Sequence, residues 1–314
     1  MIRWFIPLGW PIVVADSSTE HCTAALQDMP GVTHLHRPGG FEVYLAKLAE
    51  ALALVKTPLV AMCADDDFIT LDGLKSSVGF LKSNADYSFA QGYAYQFQRF
   101  NSRIALWPIL YTRHTVEQDD WVERVDQAHS TIYYGVNRTD VLFTAFEFLA
   151  RQDFGDITPS LAAFADTAIT LYAARVGKFK RINQPFALRE YSPIVSAVGT
   201  RPDTITSRNI PDFYAALLRL MTSEERNVDI ERRLRRTFAR DYAGQITYDL
   251  KVQSSRKNHL TRIPPPLLGA AEHAFRVASA LRTYARREYR PFLSVYSCPD
   301  YGRFKSFVLE EKLP

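Results

Sequence analysis

Three consecutive aspartates, Asp65, Asp66 and Asp67, follow the apolar run LVAMCA at residues 59–64. Like charges so close together cost free energy unless a cation or solvent offsets them. Carboxylates at a strand end suit Mg²⁺ or Mn²⁺, hard cations that bind carboxylate and diphosphate oxygens. In an extended segment side chains alternate, so Asp65 and Asp67 are expected on one side and Asp66 on the other. The alternative is a helix N-terminus capped by Asp66 or Asp67.

Regular elements must position these carboxylates, and the sequence predicts strand, helix, strand and helix in succession. The β-branched run at 12–15 predicts a strand that ends at Asp16, and residues 41–56 have the apolar spacing of a helix. LVAMCA predicts a buried strand, and a helix is expected from about 72 to 82. Such alternation favours a parallel α/β sheet, in which ligands bind at the carboxyl ends of strands. Asp16 and the three aspartates fall at such ends of neighbouring strands.

The rest of the chain predicts further strands, and then mostly helices after residue 210. We place a boundary between a domain at 1–205 and a mainly helical region at 206–314. The remaining predicted strands are 84–100 and 130–138, with a short strand and a loop at 178–190. The predicted helices include 139–151, 158–176 and 224–250.

The formal net charge of +4 conceals a strongly basic segment. Residues 251–290 hold nine Lys or Arg and two Glu. Within it, three prolines at 264–266 precede a predicted basic amphipathic helix at 267–288. A basic helix on a near-neutral body favours an anionic neighbour, and we expect peripheral contact with an anionic membrane rather than with nucleic acid.

The composition is that of a folded protein in a reducing compartment. With 47% hydrophobic and 23% charged residues, the chain is not of the disordered class. Its three cysteines, Cys22, Cys63 and Cys298, are too widely spaced for a disulfide framework or a cysteine metal site. The sequence has no apolar run of about 18 to 20 residues and no signal-peptide pattern. The expected location is cytoplasmic, with peripheral attachment at the inner face of the membrane.

Residues 10–100 resemble a glycosyltransferase of the GT-A fold, close to the family 2 type. The resemblance is carried by IVVADSS at 12–18 and by YLAKLAEALALVKTPLVAMCADDDF at 44–68. It implies a Rossmann-like, mostly parallel sheet flanked by helices, with a D-x-D motif at the aspartates. It also implies a nucleotide-sugar donor, Mn²⁺ or Mg²⁺ as cofactor, and a role in bacterial polysaccharide assembly.

The same resemblance implies a role for each matching residue. Asp16 would contact the nucleobase or ribose, and Lys47 would reach the base or phosphate region. Asp65 and Asp66 would bind the nucleotide sugar, while Asp65 and Asp67 would bind the metal on its diphosphate. Two of these residues have plain structural alternatives, since Asp16 can cap the following turn and Lys47 can be an ordinary solvated lysine.

Residues 154–190 resemble the second half of bacterial GT-A-type transferases, in which an acidic residue before a helix is the general base. Asp156 in FGDITPS matches that position best, with Asp153 as its competitor. The implied reaction is an inverting transfer in which the base deprotonates a glycan or lipid-linked acceptor, while the metal stabilises the leaving diphosphate. Arg189 is a candidate partner of phosphate, of Glu190 or of Asp156.

The sequence departs from the GT-A pattern at its beginning. GT-A domains start with a strand and a nucleobase-binding turn, whereas Met1 stands at what resembles the end of the following helix. A misplaced start and a missing first strand are both open. The second makes a non-catalytic, degenerate domain that binds glycan or membrane an alternative function. A haloacid-dehalogenase-type phosphatase with Asp65 as nucleophile is weaker, because Ile69 stands where that motif has Thr or Val.

Overall fold

The computed structural model describes residues 2–20, 26, 29–40, 43–100, 103–109, 115–128, 134–152, 158–190, 209–222, 228–238 and 298–310. The strands are β1 (Ile12–Asp16), β2 (Val32–His36), β3 (Leu59–Ala61), β4 (Phe68–Ile69), β5 (Tyr87–Phe100), β6 (Arg103–Ile109), β7 (Val136–Arg138) and β8 (Lys178–Glu190). The helices are α1 (Ile2–Phe5), α2 (Tyr44–Leu54), α3 (Leu71–Ser83), α4 (Trp121–Gln127), α5 (Thr139–Ala150), α6 (Thr158–Val176), α7 (Asn209–Thr222), α8 (228–238) and α9 (Pro299–Glu310).

The larger sheet has six strands in the order β3, β7, β5, β8, β4, with β6 paired to the second half of β5. Strands β5 and β8 are parallel, whereas the other pairs of this sheet are antiparallel. The predicted α/β class with flanking helices is confirmed, but the expectation of a mostly parallel sheet was wrong here. Only residues 101–102 separate β5 from β6, too few for a crossover connection, so this pair must run antiparallel.

A second, two-stranded sheet pairs β1 with β2 in parallel and sets Asp16 opposite His36. Strand β1 confirms the strand predicted at 12–15, whereas β2 lies in a Pro/Gly-rich stretch where no strand is predicted. Gly31 precedes β2 at a φ of 75°, a conformation that glycine adopts without strain. Among the described strands β1 pairs with β2, and β3 pairs with β7. The expectation that the strand ending at Asp16 neighbours the strand before the three aspartates was therefore wrong.

Helices α2, α5 and α6 confirm the helices predicted at 41–56, 139–151 and 158–176. Together with β5 they form one hydrophobic core. Helix α2 buries one stripe, Leu45, Ala49 and Leu52, at intervals of three and four residues. Its neighbour α5 contributes Phe146, which is fully buried in the same cluster. This packing fixes α2 against the domain and therefore fixes where its exposed side chains point.

Helix α3 confirms the helix predicted after the aspartates and begins at a defined cap. The Thr70 hydroxyl accepts a hydrogen bond from the Gly73 N–H at 3.3 Å and donates one to the Pro185 carbonyl at 2.7 Å. These bonds satisfy the helix end and tie it to β8. The alternative that Asp66 or Asp67 caps this helix was therefore wrong.

Helix α9 packs against the beginning of the chain in a cluster of aromatic rings. The Phe304 ring lies edge-on to Phe97 and Phe68, at centroid distances of 5.0 and 5.3 Å. Trp4 contacts the Phe68 and Phe304 rings and donates from Nε1 to the Ile69 carbonyl at 2.8 Å. Residues 299–310 thus share a core with α1, β4 and β5, although they belong to the region predicted as 206–314.

Several predictions concern parts of the chain outside the described residues. The basic helix at 267–288 and the candidate base Asp156 are among them, and the boundary at 205 stays a prediction. In the described ranges no helix combines the length and the apolar character needed to cross a membrane.

Candidate functional site

The aspartates occupy a tight turn between β3 and β4, which we call the acidic turn (residues 64–67). A hydrogen bond from the Asp67 N–H to the Ala64 carbonyl, at 3.3 Å, closes it. Because the chain turns here, the side chains do not alternate as they would in an extended segment. Asp65 and Asp66 are exposed, whereas Asp67 is only 3% exposed.

Asp16, the last residue of β1, has a carboxylate held by its neighbours. Oδ1 accepts hydrogen bonds from the Ser18 backbone N–H at 2.8 Å and from the Ser18 hydroxyl at 2.7 Å. Oδ2 lies 3.2 Å from Nε2 of His34 on β2. Burial alone would raise the pKa of Asp16, but the hydrogen bonds from Ser18 and His34 hold it below its usual value. Asp16 is therefore a fixed anion at the strand end.

Lys47 extends from α2 to the same place. Its ammonium donates to the Ser17 hydroxyl at 2.7 Å. Burial lowers the pKa of Lys47, while the carboxylates of Asp16 and Asp65 oppose that shift. The lysine thus lies close enough to feel both charges. Lys47, predicted on a helix, thus lies within electrostatic range of Asp16 at a strand end and of Asp65 in the acidic turn.

Asp66, in the acidic turn, has a carboxyl group with a strongly shifted pKa. Desolvation, followed by the negative charges of Asp67 and Asp65, raises its pKa from 3.8 to about 6. A carboxylate whose charge is disfavoured by its neighbours gains from a nearby cation. The acidic turn is therefore prepared electrostatically for a positively charged ligand.

Asp67 differs from its two neighbours because its carboxylate already has partners in the protein. Oδ1 accepts a hydrogen bond from the Glu190 backbone N–H at 2.8 Å, and Oδ2 lies 3.5 Å from Nε of Arg189. The Tyr134 hydroxyl donates to the same carboxylate. Burial raises the pKa of Asp67 above its usual value, and the bonds from Tyr134, Arg189 and Glu190 oppose that rise.

A divalent cation fits the exposed part of the acidic turn. Asp65 and Asp66 are exposed carboxylates, the ligand type that Mg²⁺ and Mn²⁺ prefer. Asp67 fits a cation less well, because the guanidinium of Arg189 is already beside it. The assignment of Asp65 and Asp67 as the metal pair stays a prediction.

A second cluster of metal-ligating groups lies elsewhere in the described residues. Ligand atoms of Asp72, Cys298 and Asp300 are all within 4.8 Å of one another. The Asp300 carboxylate accepts a hydrogen bond from the Asp72 backbone N–H at 3.0 Å, which joins the start of α9 to the start of α3. This contact accounts for the cluster as a link between two helices, and we assign no metal to it.

Sequence reasoning missed several residues that hold the site in place. His34 and Ser17 were not predicted, although the alternating pattern of β2 would have placed His34 on one face. For Arg189 the sequence left phosphate, Glu190 and Asp156 open. The structure places it beside Asp67, and Asp156 lies outside the described residues. The contact between Arg189 and Asp67 could not be predicted from a local sequence pattern, because the two residues are far apart in sequence.

No protein-family model matches the chain, and no curated protein matches it either. Among solved structures, the chain is similar to S. aureus TarS 1–349 in complex with UDP, with a TM-score of 0.48, 12% identity, and coverage of 82% of this chain and 67% of that one. The complex of TarS 1–349 with UDP-GlcNAc is similar to the chain with a TM-score of 0.46 and 14% identity, over 74% of this chain and 64% of that one. A further structure of TarS 1–349 has a TM-score of 0.45 and 13% identity, over 73% of this chain and 61% of that one. The chain thus spans less than two thirds of that structure. Similarity at this level does not by itself assign a function.

Proposed function

We propose that the chain is a glycosyltransferase with a GT-A-like fold that binds a nucleotide-sugar donor between the end of β1, α2 and the acidic turn. The observation that supports this best is the bond of Lys47 to Ser17, which sets its ammonium at the strand end that carries Asp16 and within electrostatic range of Asp65. A nucleotide diphosphate needs hydrogen-bond acceptors for its base and ribose and positive charge for its phosphates. Asp16, Asp65 and Lys47 supply both kinds of group within one site.

In this proposal each residue has a distinct task. The fixed carboxylate of Asp16 accepts hydrogen bonds from the nucleobase or the ribose. The ammonium of Lys47 binds a phosphate oxygen, for which it would exchange its bond to the Ser17 hydroxyl. Asp65 and Asp66 face solvent, and they bind the ribose and the metal.

A Mn²⁺ or Mg²⁺ ion held by the acidic turn would supply positive charge to the donor diphosphate. The exposed carboxylates of Asp65 and Asp66 are the ligands we favour, whereas the D-x-D pattern predicts Asp67 beside Asp65. Metal dependence and the identity of the ion belong to the proposal.

The acceptor half of the reaction rests on the sequence alone. We propose Asp156 as the general base that removes the proton of a glycan or lipid-linked hydroxyl, which gives inversion at the anomeric carbon in a single displacement. Peripheral attachment at the inner face of a bacterial membrane, through the basic helix at 267–288, belongs to the same proposal. A role in surface polysaccharide assembly would follow from it.

Titration calorimetry of the full chain tests the donor site directly. With Mn²⁺ present, UDP and a panel of UDP-, GDP- and dTDP-sugars are titrated into the wild type and into Asp16→Asn. Asp140→Asn, a change at an exposed position on α5, is the matched control. We expect one nucleotide class to bind to the wild type and the control, and to bind at least tenfold more weakly to Asp16→Asn.

The outcomes separate the proposed function from its alternative. Nucleotide binding together with slow donor hydrolysis supports a transferase. Binding with neither hydrolysis of the donor nor transfer to a glycan or lipid-linked acceptor supports the degenerate, non-catalytic domain. If no nucleotide in the panel binds with Mn²⁺ or Mg²⁺, the donor site we propose does not exist.

A further inference from the structure

The buried member of the acidic turn makes contacts that its two exposed neighbours do not share. Both carboxylate oxygens of Asp67 are occupied, Oδ1 by the Glu190 N–H at 2.8 Å and Oδ2 by Arg189 at 3.5 Å. The Tyr134 hydroxyl is a third partner, and the Arg189 guanidinium lies over the Tyr134 ring at 4.4 Å. A carboxylate only 3% exposed and bonded on both oxygens presents little to a ligand.

The backbone of Asp67 is held as firmly as its side chain. Its N–H donates to the Ala64 carbonyl, and its own carbonyl accepts a hydrogen bond from the Cys63 thiol at 3.3 Å. The next residue, Phe68, begins β4 and pairs with Leu188 of β8. The acidic turn is therefore fastened to the end of β8 by one residue, while Asp65 and Asp66 remain exposed.

We infer that Asp67 is a positioning residue: its buried carboxylate ties the acidic turn to Arg189, Glu190 and Tyr134, so that Asp65 and Asp66 present their carboxylates to the metal and nucleotide. This inference rests on the proposed function for the nature of the ligand. It assigns Arg189 and Tyr134 to the donor site as well, through Asp67 and without contact to the donor. Outer-shell partners of this kind orient the groups that bind.

The inference can be tested by whether Arg189→Gln strengthens or weakens the binding of the metal and nucleotide. If Asp67 bound the metal itself, the Arg189 cation beside it would repel the ion, and Arg189→Gln would tighten binding. If Asp67 positions the turn, Arg189→Gln loosens the turn and weakens binding. The two roles predict opposite signs for one substitution.

The first measurement is the affinity of the full chain for UDP in the presence of Mn²⁺. We expect Arg189→Gln and Asp67→Asn each to weaken it by about 10-fold to 100-fold, the usual loss for an outer-shell partner. The double variant is expected to lose little more than either single one, because both break the same link. Arg189→Lys, which keeps the charge, should recover part of the loss. Arg151→Gln, which breaks an exposed ion pair on α5, is the matched control and should bind as the wild type does.

The second measurement needs no nucleotide and reports on the turn itself. The Cys63 thiol donates to the Asp67 carbonyl at 3.3 Å, so its accessibility reports on how firmly the turn is held. Its labelling rate by a thiol reagent, followed by peptide mass spectrometry, should increase severalfold in Asp67→Asn and Arg189→Gln. The rate should be unchanged in Arg151→Gln, and Cys298 serves as the internal reference.

These measurements distinguish the failure of the inference from the failure of the proposed function. Tighter UDP binding in Arg189→Gln, or Cys63 labelling that is unchanged in both variants, overturns the positioning role. A wild type that binds no nucleotide removes the proposed function, and Cys63 labelling then decides alone whether Asp67 anchors the turn. Tyr134→Phe, which removes one hydroxyl, replaces Asp67→Asn should that variant fail to fold.

Discussion

The ammonium of Lys47 donates a hydrogen bond to the hydroxyl of Ser17 at 2.7 Å, although the two residues are 30 positions apart. The bond links α2 to the loop that follows β1. It also holds a positive charge within electrostatic range of the carboxylates of Asp16 and Asp65. The donor site we propose depends on this one side chain more than on any other.

Lys47→Met is expected to weaken the binding of UDP with Mn²⁺ by about 10-fold to 100-fold, since a hydrogen bond to a charged group contributes roughly 1.5–3 kcal/mol. Stability should change by less than about 1 kcal/mol, because methionine keeps most of the buried stem. Calorimetry and urea unfolding measure the two effects. Lys75→Met, at an exposed position on α3, is the matched control. Unchanged affinity in Lys47→Met would remove the lysine from the site.

Asp66→Asn should change how stability depends on pH. The folded-state pKa of Asp66 is raised to about 6 from the usual 3.8, so between those values the folded protein keeps a proton that the unfolded chain loses. The free energy of unfolding therefore falls as pH rises from about 4 through 6, and the asparagine variant escapes this loss. Urea unfolding at several pH values should show Asp66→Asn gaining on the wild type over that range.

Mn²⁺ provides the internal control for the Asp66 experiment. A cation at the acidic turn favours the ionised carboxylate, so it should reduce the advantage of Asp66→Asn above pH 6. The affinity of the wild type for Mn²⁺ with UDP should correspondingly decline below pH about 6. A difference between the two proteins that stays constant across this range would contradict the raised pKa.

Gly73→Ala should destabilise the protein by roughly 1–3 kcal/mol, as overpacking does. A methyl group there would meet the Pro185 carbonyl and would lie 2.6 Å from the Thr70 hydroxyl, where α3 joins β8. Gly79→Ala on the same helix has open space around it and should stabilise by about 0.5–1 kcal/mol. Thermal and urea unfolding of the pair measure both signs. Equal effects would mean that the start of α3 is less tightly packed than described.

Phe304→Ala should cost about 3–5 kcal/mol, the usual loss for a fully buried phenylalanine. It should also weaken UDP binding, because Phe68 in the same cluster directly follows the acidic turn. Lys305→Ala, exposed on the same helix, is the control for stability and binding. A loss of stability below 1 kcal/mol would show that α9 is dispensable for the core.

Much of the fold was predictable where a pattern is local. The apolar spacing of α2 and the β-branched run of β1 identify both elements within a few residues. Strand direction was not predictable in the same way, because pairing joins segments far apart, as β5 and β8 do. The strand β2 was missed because its flanking prolines and glycines suggest a loop.

The candidate site shows the same limit. The aspartates and Lys47 were identified from residue type and position, and the structure brings Lys47 close to Asp16 and Asp65. The partner of Asp67 was beyond reach, since Glu190 lies 123 positions away and its contribution is a backbone N–H. A main-chain donor leaves no trace in residue type, so sequence reasoning cannot separate Asp67 from its two identical neighbours.

The contact between α1 and α9 also bears on the order in which the chain folds. Arg303 donates to the Trp4 carbonyl at 3.0 Å across 299 positions, one of the longest loops that the chain closes. Closing so long a loop has a high entropic cost, so we expect this contact to form late in folding. During synthesis it cannot form until residue 303 has left the ribosome. Until then Trp4, Phe68 and Phe97 are not packed against Phe304 of α9. The nascent chain therefore exposes an aromatic surface that is prone to aggregation and of the kind that chaperones bind.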